Sequence, residues 1–243
     1  MPTISRWHTG SSTHRLRLAG IPSTSSKRTF RDRREAGRVL AGLLAGRRGR
    51  TDVVVLGLAR GGVPVGWEVA AALQAPLEVF LVRKLGVPNW PELAMGAIAS
   101  GGGLVVNDHL IHSLGITSEQ LDAAIRRETD ELHRREAAYR GDDHVVELGG
   151  KEVILVDDGI ATGASMFAAL QVVRATGPAR VVVAVPVGPR SVYRRLRDEA
   201  DEVLLAVIPD RFEAVGQVFN DFHQVSDDEV RAVLATPTVP SGA

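Results

Sequence analysis

Short apolar runs alternate along the chain with stretches in which apolar positions recur every third or fourth residue. "VVVLG" from Val53, "VILVD" from Val153 and "VVVAVPV" from Val181 are continuous and rich in β-branched residues, the pattern of strands buried on both faces of a parallel sheet. Ala36, Val39, Leu40, Leu43 and Leu44 instead share one face of a helical stretch that Phe30 opens and Gly46 closes. Next come a predicted strand Asp52–Gly57, a Gly-rich turn, a helix Val65–Leu73 and a strand Leu77–Val82. Two short strands follow around Leu93–Ala99 and Leu104–Asn107. Thr117 with Gln120 reads as a capping box for a helix reaching about Tyr139, with Leu121, Ile125 and Leu132 inward. On its wet face Glu131 and Arg135 stand one turn apart. Strand Val153–Asp157, a second Gly-rich turn, helix Ser165–Ala175, strand Arg180–Val187, helix Arg190–Glu199 and strand Glu202–Ile208 complete the series. Alternating strands and helices predict an α/β fold with a doubly wound parallel sheet, which binds ligands at the carboxyl ends of its strands.

Composition narrows the classes. The 243 residues suffice for one large α/β domain, or a core with a small appendage. With 44% apolar residues and a mean hydropathy of +0.03 the chain reads as an ordinary globular protein. Its longest apolar runs are strand-length, short of the roughly 20 residues that cross a bilayer, and the N-terminus shows no apolar signal core. No membrane association is expected, and a cytoplasmic location is. The absence of cysteine excludes disulfides and thiolate chemistry. A net charge of zero hides an asymmetry: residues 1–50 carry 12 Lys/Arg against Asp32 and Glu35, and the remainder carries 17 against 27 acids. A basic arm invites a nucleic-acid reading, but interleaved aromatics and a binding motif are both missing, so nucleic acid is not an expected partner. Neutralisation of an acidic body, or alignment along an anionic ligand site, accounts for the arm better. Residues 1–26, rich in Ser, Thr, Gly and Arg, read as a mostly disordered basic arm, 27–234 as the domain, and 235–243 as a loose tail.

The chemistry concentrates in Val153–Ser165. An apolar strand delivers Asp157 and Asp158 at its carboxyl end, and a loop with two glycines and two hydroxyls then enters a helix. Free backbone amides and the positive end of the helix dipole form a phosphate cradle, to which the Thr162 and Ser165 hydroxyls add donors. Two carboxylates just upstream would repel a bare phosphate, so they call for partners of their own. Sugar hydroxyls and a hydrated magnesium ion suit them. A plain strand-to-helix turn with a capping acid pair is the bland alternative. The segment resembles the signature of the type I phosphoribosyltransferases, enzymes that use 5-phosphoribosyl 1-pyrophosphate (PRPP): four apolar residues, two acids, and a loop ending Thr-Gly-x-Thr/Ser. The resemblance implies that Asp157 and Asp158 hold the ribose hydroxyls and reach magnesium through water. It also implies that Gly159, Ala161, Thr162, Gly163, Ala164 and Ser165 form the PRPP loop, the last five holding the 5′-phosphate.

A second turn, Leu58-Ala59-Arg60-Gly61-Gly62-Val63-Pro64, also joins a buried strand to a helix. It fits neither the dinucleotide fingerprint nor the P-loop. Exposed amides beside one arginine suit a multiply charged anion. The turn is similar to the family's pyrophosphate loop, which implies pyrophosphate contacts from Arg60, Gly61 and Gly62 and a cis peptide at Ala59–Arg60. Arg83 and Lys84 resemble a basic pair that faces pyrophosphate in adenine-type members, in some cases from a dimer partner; two solvated cations are the alternative. The family's mobile catalytic lid would lie between Gly86 and Gly103. Its one carboxylate, Glu92, is the candidate acid or base, or else a surface glutamate.

Departures from the family pattern bear on the acceptor. Ala161 stands where hypoxanthine/guanine members carry an Asp, which argues against a 6-oxopurine of that type. The segment at about 108–141 reads as an insert. Stretches at about 27–46 and 209–224 lie where the family builds its acceptor-binding hood, and Phe212, Phe219 and Phe222 there could stack on a base or pack in the core. The resemblance covers roughly residues 30–234. It implies a magnesium-dependent, homodimeric phosphoribosyltransferase acting on an unidentified nucleobase-like acceptor, with Asp157, Asp158, Arg60 and Glu92 as the catalytic set. A non-catalytic PRPP-sensing regulator and a hydrolase or phosphoesterase using the same pocket remain alternatives.

Overall fold

The structure, a computed structural model, describes residues 4–6, 28–139 and 146–239. In chain order it runs β1 (Ile4–Arg6), α1 (Arg33–Leu43), β2 (Val53–Leu58), α2 (Gly62–Leu73), β3 (Leu77–Phe80), β4 (Val82–Val87), β5 (Trp90–Ala99) and β6 (Gly103–Val106). Then follow α3 (Asp108–Ser113), α4 (Ser118–Tyr139), β7 (Glu152–Val156), α5 (Ala164–Ala175), β8 (Arg180–Val187), α6 (Arg190–Glu199), β9 (Glu202–Val207) and α7 (Asp227–Leu234).

The apolar runs become a five-stranded parallel sheet in the order β3-β2-β7-β8-β9. Because successive side chains point to opposite faces, each run feeds two cores. Val54, Leu56, Val153, Leu155, Val181 and Val183 pack against α5 and α6 through Met166, Leu170, Val192 and Leu196. Val53, Val55, Ile154, Val156 and Val182 pack against α1 and α2 through Leu40, Leu44, Val65, Val69 and Leu73. The sheet is doubly wound, as its pattern predicts. Chain order reverses between β2 and β7, which are hydrogen-bonded neighbours. That is the switch point at which such sheets open a crevice.

A second, four-stranded sheet, β1-β6-β5-β4, was not predicted. The strands expected around Leu93–Ala99 and Leu104–Asn107 are present as β5 and β6, but the expected single strand Leu77–Val82 divides into β3 and β4. In the structure the chain changes sheets at Leu81, whose amide donates to Ser100 Oγ (3.0 Å) and whose carbonyl accepts from the Ser100 amide (2.9 Å). Uninterrupted hydrophobicity hides that crossing, because β3 and β4 are both half-buried. Residues 86–103 therefore form most of an antiparallel β4–β5 ribbon, with register shifts on either side of Gly86. One face of this sheet meets α5, so closely that a Cβ on Gly103 would lie 2.3 Å from Val172 Cγ1. The other packs under α4 through Leu85, Met95, Ile98, Leu104, Ala124 and Leu132.

Several local signals read as expected. Thr117 and Gln120 exchange capping hydrogen bonds (3.3 and 3.0 Å), and Glu131 pairs with Arg134 and Arg135. Phe30 differs: it does not open a helix but bridges Phe219, with its amide on Val218 O (2.7 Å). Helix α1 starts instead behind Asp32, whose side chain accepts from the Glu35 amide at 2.8 Å. The short helices α3 and α7 were not foreseen. Part of the positive charge of residues 1–50 answers the acidic body directly, since Arg47 pairs with Glu152 and Glu202 and Arg50 with Glu152. The expected loose tail is tied at Thr236, whose carbonyl accepts from Trp67 Nε1 (3.0 Å), and at Thr238, which donates to Ala75 O (2.8 Å). Of the expected arm, strand β1 pairs with β6, while residues 1–3 and 7–27 lie outside the described residues.

Candidate active site

Since β2 and β7 pair in register, their carboxyl ends deliver the two Gly-rich turns side by side. Packing shows how closely they meet. A Cβ on Gly61 would fall 1.9 Å from Asp158 Oδ2, and one on Gly62 2.5 Å from Val156 O and 2.8 Å from Asp157 Cα. The glycines thus serve first to let the turns interlock, rather than only to clear the backbone for an anion. The Ala59–Arg60 peptide is cis, as the resemblance implies.

Beyond β7 the loop is anchored at Ile160, buried with its amide on Val187 O (2.9 Å). Gly163, at φ +82°, then turns the chain into α5 in a conformation that favours glycine. Ala161, Thr162, Ala164 and Ser165 are exposed around that helix start. Gly163 brings no side chain to the helix end, and the Ala164 amide meets Thr162 Oγ1 only at 3.4 Å. First-turn amides left this way suit an anion.

Asp157 and Asp158 are half-buried. Asp157 Oδ1 accepts from the Asp158 amide at 2.8 Å. Burial, and then the neighbouring Asp158 charge, push the Asp157 carboxyl well above its ordinary range. Burial also raises Asp158, against the opposing pull of Arg33. Arg33, on α1, donates from Nε to Asp158 Oδ2 at 2.8 Å and from Nη1 to His223 O at 2.8 Å. Its guanidinium carbon lies 4.0 Å from the centre of the Phe222 ring. A carboxylate pair so desolvated and only partly neutralised is where a cation or hydroxyl donors would be favoured. No cluster of three or more metal-ligating side chains occurs among the described residues. That donor set fits magnesium, which keeps waters and is commonly bound by one or two carboxylates plus a substrate's phosphate oxygens.

Arg60 Nη1 stands 3.4 Å from Asp227 Oδ1, which also accepts from Tyr139 OH at 2.6 Å. Burial, reinforced by that carboxylate, pushes the Tyr139 phenol up to about 12. A cleft of about 450 Å³ is lined by Arg33, Arg60, Gly61, Asp158, Phe222 and His223, among others. His223 is raised above its usual 6.5 by Asp221 on Nδ1 (2.9 Å) and Glu229 on Nε2 (2.8 Å).

The other predicted residues are distributed differently. Arg83 does not line the Arg60 cleft: Nε and Nη2 donate to Glu128 Oε2 on α4 (3.0 and 2.7 Å). With Lys84 it lines a separate cleft of about 870 Å³ that Ser165 also borders. Glu92 lies on β5, where the ribbon's register is irregular. Phe219 is core, stacked on Phe222 (4.9 Å) and tilted against Phe30 (5.5 Å), and Phe212 packs on the same cluster. Phe222 alone of the three lines the cleft, and Phe219 and Arg33 flank its ring, so of the two readings given for these aromatics Phe219 and Phe212 follow core packing. Sequence reasoning does not single out Arg33, Tyr139 or Asp227. Arg33 sits in a run of arginines within Arg31–Arg34 broken by Asp32, and only the tertiary fold tells it apart from its neighbours.

A doubly wound α/β protein, with an acid pair and two interlocked Gly-rich turns at its switch point, is the class these features define. The chain belongs to the phosphoribosyltransferase family: the profile of the phosphoribosyl transferase domain matches residues 31–221. Two proteins of Mycobacterium tuberculosis, from strains CDC 1551 and H37Rv, each named "Putative phosphoribosyl transferase", are 50% identical over 205 residues. Those matches cover 84% of this chain and 46% of each relative, so the chain spans about half the length of these curated relatives. The crystal structure of TT1426 from Thermus thermophilus is 46% identical, with a TM-score of 0.77 over 85% of this chain and 97% of that one. No helix among the described residues is long and apolar enough to cross a membrane.

Proposed function

We propose that this chain binds PRPP with magnesium where β2 and β7 end, and transfers the phosphoribosyl group to a nucleobase-like acceptor with release of pyrophosphate. The observation that carries this reading is the interlock of the two turns, with Gly61 against Asp158. A Gly-rich turn, a carboxylate pair and the start of α5 all follow the carboxyl ends of two hydrogen-bonded strands, which supports their sharing one phosphorylated sugar. Asp157 and Asp158 accept the ribose 2′ and 3′ hydroxyls, and the loop from Ala161 to Ser165 takes the 5′-phosphate. Remote phosphate binding fixes the sugar, and its energy is available to the reacting centre. Arg60, with the amides of Gly61 and Gly62, neutralises charge growing on the departing pyrophosphate. Magnesium, reached through water by the acid pair, supplies further neutralisation of that charge when bound. The β4–β5 ribbon excludes water from an oxocarbenium-like transition state, and Glu92 exchanges a proton with the acceptor. The acceptor enters along the wall of Phe222 and His223. A cytoplasmic homodimer accompanies this reading.

The test is a panel of nucleobases and related rings supplied with magnesium and PRPP, scored for pyrophosphate release. Release that requires one ring supports the transferase. Binding of PRPP without release across the panel makes the chain a sensor, and release without any ring makes it a hydrolase.

A further inference from the structure

Resting on the PRPP reading above, we infer that Arg33 is a positioning residue that aims Asp158 at the ribose and couples that carboxylate to the acceptor-side wall at Phe222–His223. Asp158 Oδ2 is held by Arg33 and lies close against Gly61. Arg33 Nε donates to it at 2.8 Å, and it lies where a Cβ on Gly61 would come within 1.9 Å. Among the described residues Arg33 is the only side-chain donor to Asp158, so one carboxylate oxygen is held by a side chain while the residue lines the 450 Å³ cleft. Arg33 is itself over-determined. It is 8% exposed, its Nη1 donates to His223 O, and its guanidinium lies over Phe222 at 4.0 Å. Phe222 stacks in turn on Phe219, and Phe219 meets Phe30 at a tilt of 39°, so one row of aromatic contacts runs from the core to the acid pair.

A planar fork with two of its donors on two different elements is a rigid link between them. Movement of Asp158 as a sugar hydroxyl engages Oδ1 is therefore carried to residues 222–223 without further contacts. The row ends at the wall where an acceptor would enter, so occupancy of the ribose site is felt at the acceptor site. Nothing in α1's helical pattern requires an arginine here, since the position is buried beside Ala36 and Leu40.

The experiment titrates ribose 5-phosphate and pyrophosphate separately, each with magnesium, into the unsubstituted chain, Arg33→Met and Arg33→Lys. Amide hydrogen exchange over residues 219–224 is followed with and without ribose 5-phosphate. In Arg33→Met, ribose 5-phosphate should weaken about tenfold or more, the equivalent of losing one charge-assisted contact's orientation, while pyrophosphate stays within about twofold. Arg33→Lys, which keeps the charge but not the fork, should recover part of the ribose 5-phosphate affinity. Ligand-dependent protection at 219–224 should be present in the unsubstituted chain and lost in Arg33→Met. Equal weakening of both ligands, or unchanged ribose 5-phosphate binding in Arg33→Met, overturns the inference and leaves the PRPP reading standing. Failure of the unsubstituted chain to bind ribose 5-phosphate or pyrophosphate overturns both.

Discussion

Replacement of Gly61 by alanine sets two effects of opposite sign against each other. Gly61 sits at φ −61° and ψ −30°, in the right-handed helical region, just ahead of α2. With that backbone, alanine should stabilise by about 0.4–1 kcal/mol through the narrower unfolded ensemble. The space around it argues the other way. The new Cβ would fall 1.9 Å from Asp158 Oδ2 and 2.4 Å from its Cγ. Asp158 cannot simply swing aside, because its Oδ2 is on Arg33 in a pair whose side chains are 9% and 16% exposed. Overpacking of this kind costs about 1–3 kcal/mol, so the balance is a loss of about 1–2 kcal/mol. For a chain of this size each kcal/mol is about 2–4 °C in Tm, so Tm should fall by about 2–8 °C in a thermal melt without ligand. Gly42→Ala is the matched control: it is also helical, on α1, but its Cβ meets nothing within 4 Å. Its Tm should rise, in keeping with about 0.5–1 kcal/mol for glycine to alanine inside a helix. A rise for Gly61→Ala like that of Gly42→Ala would refute the interlock of the two turns.

Other expectations follow from the same geometry. Asp157 has its folded-state pKa raised above the ordinary value, so the stability its carboxyl contributes is fully present below about pH 4 and lost as pH rises through the raised value. Asp157→Asn escapes that loss: its Tm should exceed that of the unsubstituted chain at pH 7 and the gap should close towards pH 4, whereas a gap independent of pH would contradict the burial of that charge. Glu92→Gln should lower turnover by about 10²–10⁴-fold with a productive acceptor while PRPP affinity stays unchanged. Unaltered turnover would return Glu92 to the surface.

The sequence discloses those parts of this molecule that are written locally. Continuous β-branched runs at Val53, Val153 and Val181 announce buried parallel strands, and the two Gly-rich turns follow directly from them. The box Thr117–Gln120 and the pair Glu131–Arg135 are likewise decided within one helical turn. Asp32 and Glu35 stand in the same relation as a capping pair, a local mark that α1 begins at Arg33 rather than at Phe30. What escaped has a different cause. The passage from β3 into β4 leaves no mark in hydrophobicity, because each strand is half-buried in its own sheet and the change rests on a distant Ser100. The partners of Asp158 and of Arg60 are also non-local. Arg33 lies 125 positions from Asp158, and Asp227 lies 167 from Arg60, so their roles exist only once β2, β7 and the flanking helices are assembled. Phe212 and Phe219 were open to two readings for a related reason, since aromatic clustering looks the same in sequence whether the rings face a ligand or each other.

Calorimetric titration of PRPP in the presence of magnesium, into the unsubstituted chain and into the Asp157→Asn/Asp158→Asn double variant, tests the central claim most directly. The unsubstituted chain should bind, and at a hundred times the dissociation constant the ligand should add about 2.7 kcal/mol to the stability of the fold. The double variant, equal in shape but without the charges, should melt cooperatively and lose most of that affinity. No binding by the unsubstituted chain, or undiminished binding by a folded double variant, would contradict the account.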